Sequence, residues 1–315
     1  MKKALIILLS ILIIGIAGCS NTNTQSDDTI TLGIIQIVEH PALDSAREGF
    51  LETLKANGYE EGKNLIVDYQ NAQGDQSVLQ SIAQKFASEK PDLILAIATP
   101  SAQAMAAADS EIPILITAVT DPVVAKLVNS LEEPGTNVTG TTDMNPIQEQ
   151  FELLKKLVPN VKKVGIVFNA GEVNSQVQVD IAKEVALKMD LEILEATAYT
   201  SADVLQAAQS FIGKVDAIYV PTDNTVVSAK ESVIQVANAN NIPLISGESS
   251  VVDAGGLATI GINYENLGKQ TGEMAIRILN GETPQNMPIE SQKDFDTVIN
   301  KETASLLGIE IPKDL

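Results

Sequence analysis

Short apolar runs, each closed by turn-forming residues, recur at Ile30 to Ile37, Leu65 to Tyr69, Leu93 to Ala98, Ile114 to Val119, Val164 to Phe168, Ile193 to Ala196, Ala217 to Val220, Pro243 to Ser246 and Ala258 to Ile262. Runs that are apolar at consecutive positions predict strands buried on both faces. The longer segments between them carry helical spacing. In Ala42 to Asn57, for example, Ala46, Phe50, Leu51 and Leu54 share one face and Gly58 follows as a stop. Strands alternating with helices predict an α/β fold with doubly wound parallel sheets. The pattern runs once to about Val138, where Asn137 to Thr141 reads as a short crossing strand, and restarts with a helix after Pro146. Two similar lobes follow from that restart, and no short-period repeat suggests a solenoid or propeller.

The N-terminus departs from this pattern. Lys2 and Lys3 precede an apolar run from Ala4 to Ala17, which reads as an export signal over residues 1–18 and is too short to span a bilayer. Ile16-Ala17-Gly18-Cys19 resembles the bacterial lipobox, which implies cleavage before Cys19 and lipid on its sulfur. Acyl chains contribute ~0.8 kcal/mol per buried methylene, so several on one residue make a durable anchor. Cys19 is the only cysteine. With it lipidated, a disulfide, a zinc–cysteine site and a cysteine nucleophile are all excluded. Residues 19–29, rich in Ser, Thr, Asn and Asp, read as a flexible tether.

About 285 residues remain, enough for two domains and a substantial core. Lys and Arg number 21 against 41 Asp and Glu, and loss of the signal's two lysines takes the net charge from −20 to about −22. Such a surface repels phosphate backbones and anionic lipid, so nucleic acid is excluded as a partner.

In open parallel sheets ligands bind beyond the carboxyl ends of the strands, so the residues just after each apolar run are the ones to inspect. Thr99-Pro100-Ser101-Ala102-Gln103 reads as a helix start with a capping hydroxyl and proline at its first position, offering N–H groups to an anion such as a carboxylate. Other strand ends carry Gln36 to Pro41, with the only histidine, His40, and Thr120-Asp121-Pro122. In the second half the matching positions are Asn169 to Ser175, including Glu172 and Asn174, then Pro221-Thr222-Asp223-Asn224, then Ser246-Gly247-Glu248. Carboxylates on one lobe facing a helix start on the other suit a ligand with an ammonium and a carboxylate group, the charge pattern of an amino acid.

A catalytic reading finds little support. One histidine limits acid–base chemistry, and no nucleophile stands beside a recognisable base. Neither GxGxxG nor GxxxxGK[ST] follows a strand, and HExxH or comparable metal-ligand spacing is absent. The expectation is therefore a binding protein without metal or cofactor, and not an enzyme.

Several stretches resemble one family: Gly33 to Asp44 (GIIQIVEHPALD), Ala98 to Ala102 (ATPSA), Val119 to Pro122 (VTDP), Pro134 to Gly140 (PGTNVTG), Val220 to Thr225 (VPTDNT) and Gly255 to Gly268 (GGLATIGINYENLG). They are similar to the type I periplasmic-binding-like substrate-binding proteins of ABC transporters, in the subgroup of tryptophan-binding lipoproteins encoded beside their permeases. The resemblance implies two α/β lobes joined by a three-segment hinge, with residues 30–142 plus 264–285 in the first lobe and 143–263 plus 286–315 in the second. It implies a helix over Tyr264 to Leu279 returning to the first lobe, and a last strand around Phe295 to Ile299 rejoining the second. An aromatic amino acid, tryptophan or phenylalanine, is the implied ligand. Thr99, Ser101 and Ala102 would receive its carboxylate, and Asp223 and Glu248 its ammonium group. Asn169, Glu172, Asn174 and Ser175 would close from the second lobe, and Gln36 and His40 would lie near the side-chain end. Thr120, Asp121 and Asn224 complete the candidate set. The implied partners are an ABC permease with its ATPase and, through the lipid, the outer face of the cell membrane. A sugar or nucleoside carrier and a ligand-sensing surface receptor are the competing readings.

Overall fold

The computed structural model describes residues 29–315; the expected export signal, Cys19 and nearly all of the expected tether lie outside the described residues. The first lobe opens with β1 (Ile30–Gln36), α1 (Pro41–Ala56), β2 (Leu65–Asn71), α2 (Gln76–Glu89), β3 (Leu93–Ile97), α3 (Thr99–Ala108), β4 (Ile114–Val119) and β5 (Val138–Thr142). The second holds α4 (Ile147–Leu157), β6 (Lys163–Phe168), α5 (Val173–Lys188), β7 (Glu192–Thr197), α6 (Val204–Gln209), β8 (Ala217–Val220), α7 (Asn224–Ser228), α8 (Lys230–Ala239), β9 (Leu244–Ser246), α9 (Ser249–Asp253) and β10 (Ala258–Gly261). The chain then returns to the first lobe with α10 (Tyr264–Leu279) and β11 (Glu290–Ser291), and finishes in the second with β12 (Asp296–Ile299) and α11 (Lys301–Leu306).

Each lobe is built on a six-stranded sheet, ordered β11-β5-β4-β3-β1-β2 and β12-β10-β9-β8-β6-β7. The pairings are parallel except β10 with β12, which is antiparallel. The apolar runs are as buried as their composition predicts: β3 and β4 are buried at every position. Separate apolar cores form around the first sheet and on the two faces of the second.

Two expectations change. Asn137 to Thr141 is not itself the crossing: β5 is a full sheet member parallel to β4, and the chain crosses just after it. The first lobe also extends past residue 285, because β11 pairs with β5. Two paired residues are too short a run to leave a periodic signature.

In both sheets the strand order reverses beside the first strand of the lobe, between β1 and β3 and between β6 and β8. At such a switch point the loops diverge to opposite faces and leave a crevice. Strand ends Gln36, Ala98, Asn169 and Pro221 therefore border one crevice per lobe. Helix α10 secures the first lobe by lying along α1. That approach requires glycine, since a Cβ at Gly268 would overlap the Ala46 carbonyl oxygen and one at Gly49 the Glu265 carbonyl oxygen.

Candidate functional site

The two crevices face each other. Leu43, Ala118, Thr120, Asp143 and Tyr264, with His40, meet Asn174, Thr222, Asp223, Asn224, Val227 and Glu248 around a narrow cavity. Its free width leaves room for roughly one water-sized group at a time. The lobes are thus closed onto one another.

From the first lobe, α3 contributes its N-terminus. Ala98, at φ 73°, is the residue that caps it, so Thr99 and Pro100 occupy the first two helical positions and Thr99 does not cap as the sequence suggested. Ala98 has a positive φ, and the Thr99 and Ser101 hydroxyls that follow are buried without any partner; the helix start lies outside the cavity lining, with Pro100 near Asn169 and Glu172 of the second lobe. First-turn N–H groups have no intrahelical acceptor either. Ala102 is buried in the same turn and its N–H bonds the Ala98 carbonyl.

From the second lobe come carboxylates in two distinct states. Glu172 is surrounded by donors of its own lobe: Thr225 Oγ1 at 2.8 Å and the Thr225 amide at 3.2 Å on one oxygen, Asn224 Nδ2 at 2.6 Å and Asn174 Nδ2 at 3.2 Å on the other. Asp223 caps α7 through the Val226 amide and also accepts from the Asn169 amide at 2.5 Å and the Ser175 hydroxyl at 2.6 Å. Burial, with the nearby Glu172 charge, pushes the Asp223 carboxyl up to about 7. These two residues, with Asn169, Asn174 and Ser175, form a hydrogen-bonded frame that positions the second-lobe wall. Glu248 differs. One oxygen accepts from Ser250 Oγ, while the other has no hydrogen-bond donor and faces His40 Nδ1 at 4.0 Å. Burial pushes its carboxyl up to about 7.

Three residues that the sequence reading did not single out also bear on the site. Asp143 sits in the first crossing between lobes and accepts from Tyr264 at 2.8 Å and from Thr120 at 3.1 Å. Burial raises its carboxyl above the ordinary range. Tyr264 begins α10, the element that returns from the second lobe. Lys230, at the start of α8, is nearly buried and acts on both His40 and Glu248 through its charge.

Eight expected site residues lie outside the cavity lining: Gln36, Thr99, Ser101, Ala102, Asp121, Asn169, Glu172 and Ser175. Gln36 is fully buried but both ends of its amide are taken within the first lobe, by Val38 and Asp44 as acceptors and Arg47 as donor. Asp121 caps its own turn through the Val123 and Val124 amides. Neither borders the cavity.

A family profile described as ABC transporter substrate binding protein matches residues 31–315. The tyrosine-binding protein of Clostridioides difficile (strain R20291) is 45% identical over 319 residues, covering 96% of this chain and 92% of the relative. Among solved structures, a conserved domain protein of Vibrio cholerae is 46% identical with a TM-score of 0.89, covering 91% of this chain and 97% of that one. An ABC domain from Streptococcus pneumonia in complex with L-Trp is 36% identical with a TM-score of 0.88, at the same coverages of 91% and 97%. The ligand-free, open structure of a substrate-binding protein with adhesive properties from Clostridium difficile is 50% identical, yet its TM-score is 0.70, over 90% of this chain and 97% of that one. TM-score and identity rank these two in opposite order: the chain superposes better on the L-Trp complex than on the ligand-free, open structure. Sugar-bound neighbours, such as a myo-inositol complex at 16% identity, share the fold alone.

Proposed function

The chain belongs to the ABC transporter substrate-binding protein family, and on that premise we propose that it captures an aromatic L-amino acid between its lobes and delivers it to an ABC importer. The observation that carries this reading is the presence, on the surfaces where the lobes meet, of an unpartnered helix start in the first lobe and a free buried carboxylate in the second. The Thr99 and Ser101 hydroxyls and first-turn N–H groups of α3 suit a carboxylate. The uncommitted oxygen of Glu248 suits an ammonium group. Leu43, Ala118 and Val227 supply apolar wall. The name of the tyrosine-binding relative and the L-Trp complex of a second relative both support an aromatic side chain. With no tryptophan and only five Tyr and six Phe in the chain, that side chain is held by aliphatic groups and peptide planes more than by stacking.

The rest of the reading follows from the sequence. Residues 1–18 direct export, Cys19 carries the lipid, and residues 19–29 tether the lobes outside the membrane, where a permease with its ATPase receives the ligand. No described helix is long and apolar enough to cross a membrane. Binding contacts made to both lobes favour the closed form by the ligand's differential affinity for it.

A thermal-shift screen of residues 27–315 against the twenty amino acids, several sugars and several nucleosides tests the ligand class. Ligand at a hundred times its dissociation constant adds about 2.7 kcal/mol to stability. The expected result is a rise of several degrees with tyrosine, tryptophan or phenylalanine. A response confined to sugars or nucleosides would overturn the amino-acid reading and leave the transport class standing.

The helix start has its own test. Ser101→Ala and Thr99→Val are each expected to weaken binding roughly tenfold, the contribution of one hydrogen bond to a charged group. Neither should lower the melting temperature of the free protein, since neither hydroxyl has a partner in the fold. A melting temperature that drops in both variants, with unchanged calorimetric affinity, would assign these hydroxyls to folding.

A further inference from the structure

We propose that His40 is a binding residue that acts as a neutral imidazole: its Nδ1, from the first lobe, and Glu248 Oε2, from the second, together accept hydrogen bonds from the ligand's α-ammonium group. This rests on the amino-acid reading above and differs from the placement of His40 near the ligand's side chain.

The geometry is that of two acceptors awaiting one donor. His40 Nδ1 is buried with no hydrogen-bond partner, and the facing Glu248 Oε2 lies 4.0 Å away, too far for a direct hydrogen bond. A nitrogen at about 2.8 Å from both atoms subtends roughly 90° between them, close enough to tetrahedral for two N–H groups of an ammonium. The cavity they border leaves room for about one group of that size. Because one acceptor comes from the β1–α1 connection and the other from the end of β9, a single ammonium group would tie the lobes together.

The electrostatics require the ring to be neutral. Burial, reinforced by the Lys230 charge from α8, lowers the His40 imidazole to about 3, against a hydrogen bond to Asn224 that favours the charged form. Glu248 is the carboxyl group nearest the ring. Asp143 in the crossing, Tyr264 at the start of α10 and Asp223 ahead of α7 border the same cavity, and Asp253 at the end of α9 acts on Glu248. On the ring's own helix, Asp44 and Arg47 pair with each other at 3.0 Å. An imidazolium at Nδ1 would offer a donor where the ammonium group needs an acceptor.

Proton linkage follows. In separated lobes a solvated imidazole titrates near 6.5. Binding requires the neutral ring, so below about pH 6.5 a proton must leave, and the dissociation constant rises by up to tenfold per pH unit. Glu248, ionised in open lobes above about pH 4.5 and ionised again against the ammonium group, adds nothing in this window.

The test is calorimetric titration with L-tyrosine and L-tryptophan from pH 8 to pH 5. The parent is expected to hold constant affinity down to about pH 6.5 and to weaken about tenfold between pH 6 and pH 5. His40→Asn, whose Oδ1 stands near the place of Nδ1 and cannot titrate, is expected to give a flat profile. His40→Leu is expected to lose about tenfold at pH 8 for the amino acid, but nothing for 3-(4-hydroxyphenyl)propionate, which has no ammonium group. As His40 is the only histidine, ring ¹⁵N shifts report its charge directly even if a variant fails to fold. A parent affinity independent of pH from 8 to 5, or a bound-state imidazolium at pH 6, would overturn the proposal while leaving the amino-acid reading intact. A parent that binds no amino acid at pH 8 would overturn both.

Discussion

Glu248→Gln is expected to weaken binding of the amino-acid ligand by roughly two to three orders of magnitude while the protein still folds. Removing one member of a fully buried charge pair costs about 3–4 kcal/mol, because the remaining charge is left without its counter-charge in a medium that solvates it poorly. Glutamine keeps the shape and can still pair with Ser250, so the loss isolates charge from packing. Saturation binding at pH 7.5, with a melting curve to confirm that the variant folds, gives the reading. Undiminished affinity in the variant would move the ammonium site to Asp143 or Asp223.

Gly268→Val is expected to lower stability by about 3 kcal/mol or more, a fall in melting temperature of roughly 5–10 °C. A Cβ at this position would overlap the Ala46 carbonyl oxygen, and its branches would reach further into α1. The obstacle is backbone in the middle of α1, not the tip of a flexible side chain, so the two helices must separate. Valine's gain in helix propensity over glycine, a few tenths of a kcal/mol, does not offset this. Ligand binding should suffer with stability, because α10 begins at Tyr264, which holds Asp143 in the cavity wall. Lys269→Ala on the same helix makes only exposed ion pairs and should change stability by less than about 1 kcal/mol. Equal melting temperatures for the valine variant and the parent would mean that α1 and α10 are not packed as described.

The strand ends were legible for a simple reason. A strand covered on both faces has to be apolar at consecutive positions, and the first polar residues after it mark where the chain leaves the sheet. That logic brought His40, Thr120, Asn174, Asp223, Asn224 and Glu248 to one cavity from local sequence alone. The bounds of α10 came instead from the family resemblance, and the structure shows what fixes its start: Asn263 caps it through the Asn266 amide. Strand-end logic did not reveal that Ala98 takes the cap position of α3. Alanine has no side-chain preference for a left-handed backbone, and the conformation is imposed by the turn between β3 and the crevice.

What sequence by itself determined is the set of polar groups delivered to the crevice and the fold class that delivers them, because both depend on residues close together in the chain. Which of those groups are free was decided only in three dimensions. Glu172 and Asp223 look equivalent to Glu248 in sequence, each a carboxylate past a buried strand. Thr225, Asn224, Asn174, Ser175 and backbone amides converge on the first two from distant elements, whereas one oxygen of Glu248 has only His40 of the opposite lobe before it. Asp143, Tyr264 and Lys230 stayed hidden for the same reason. A buried polar group must find a partner, and the partner is supplied by packing between segments that no local pattern connects.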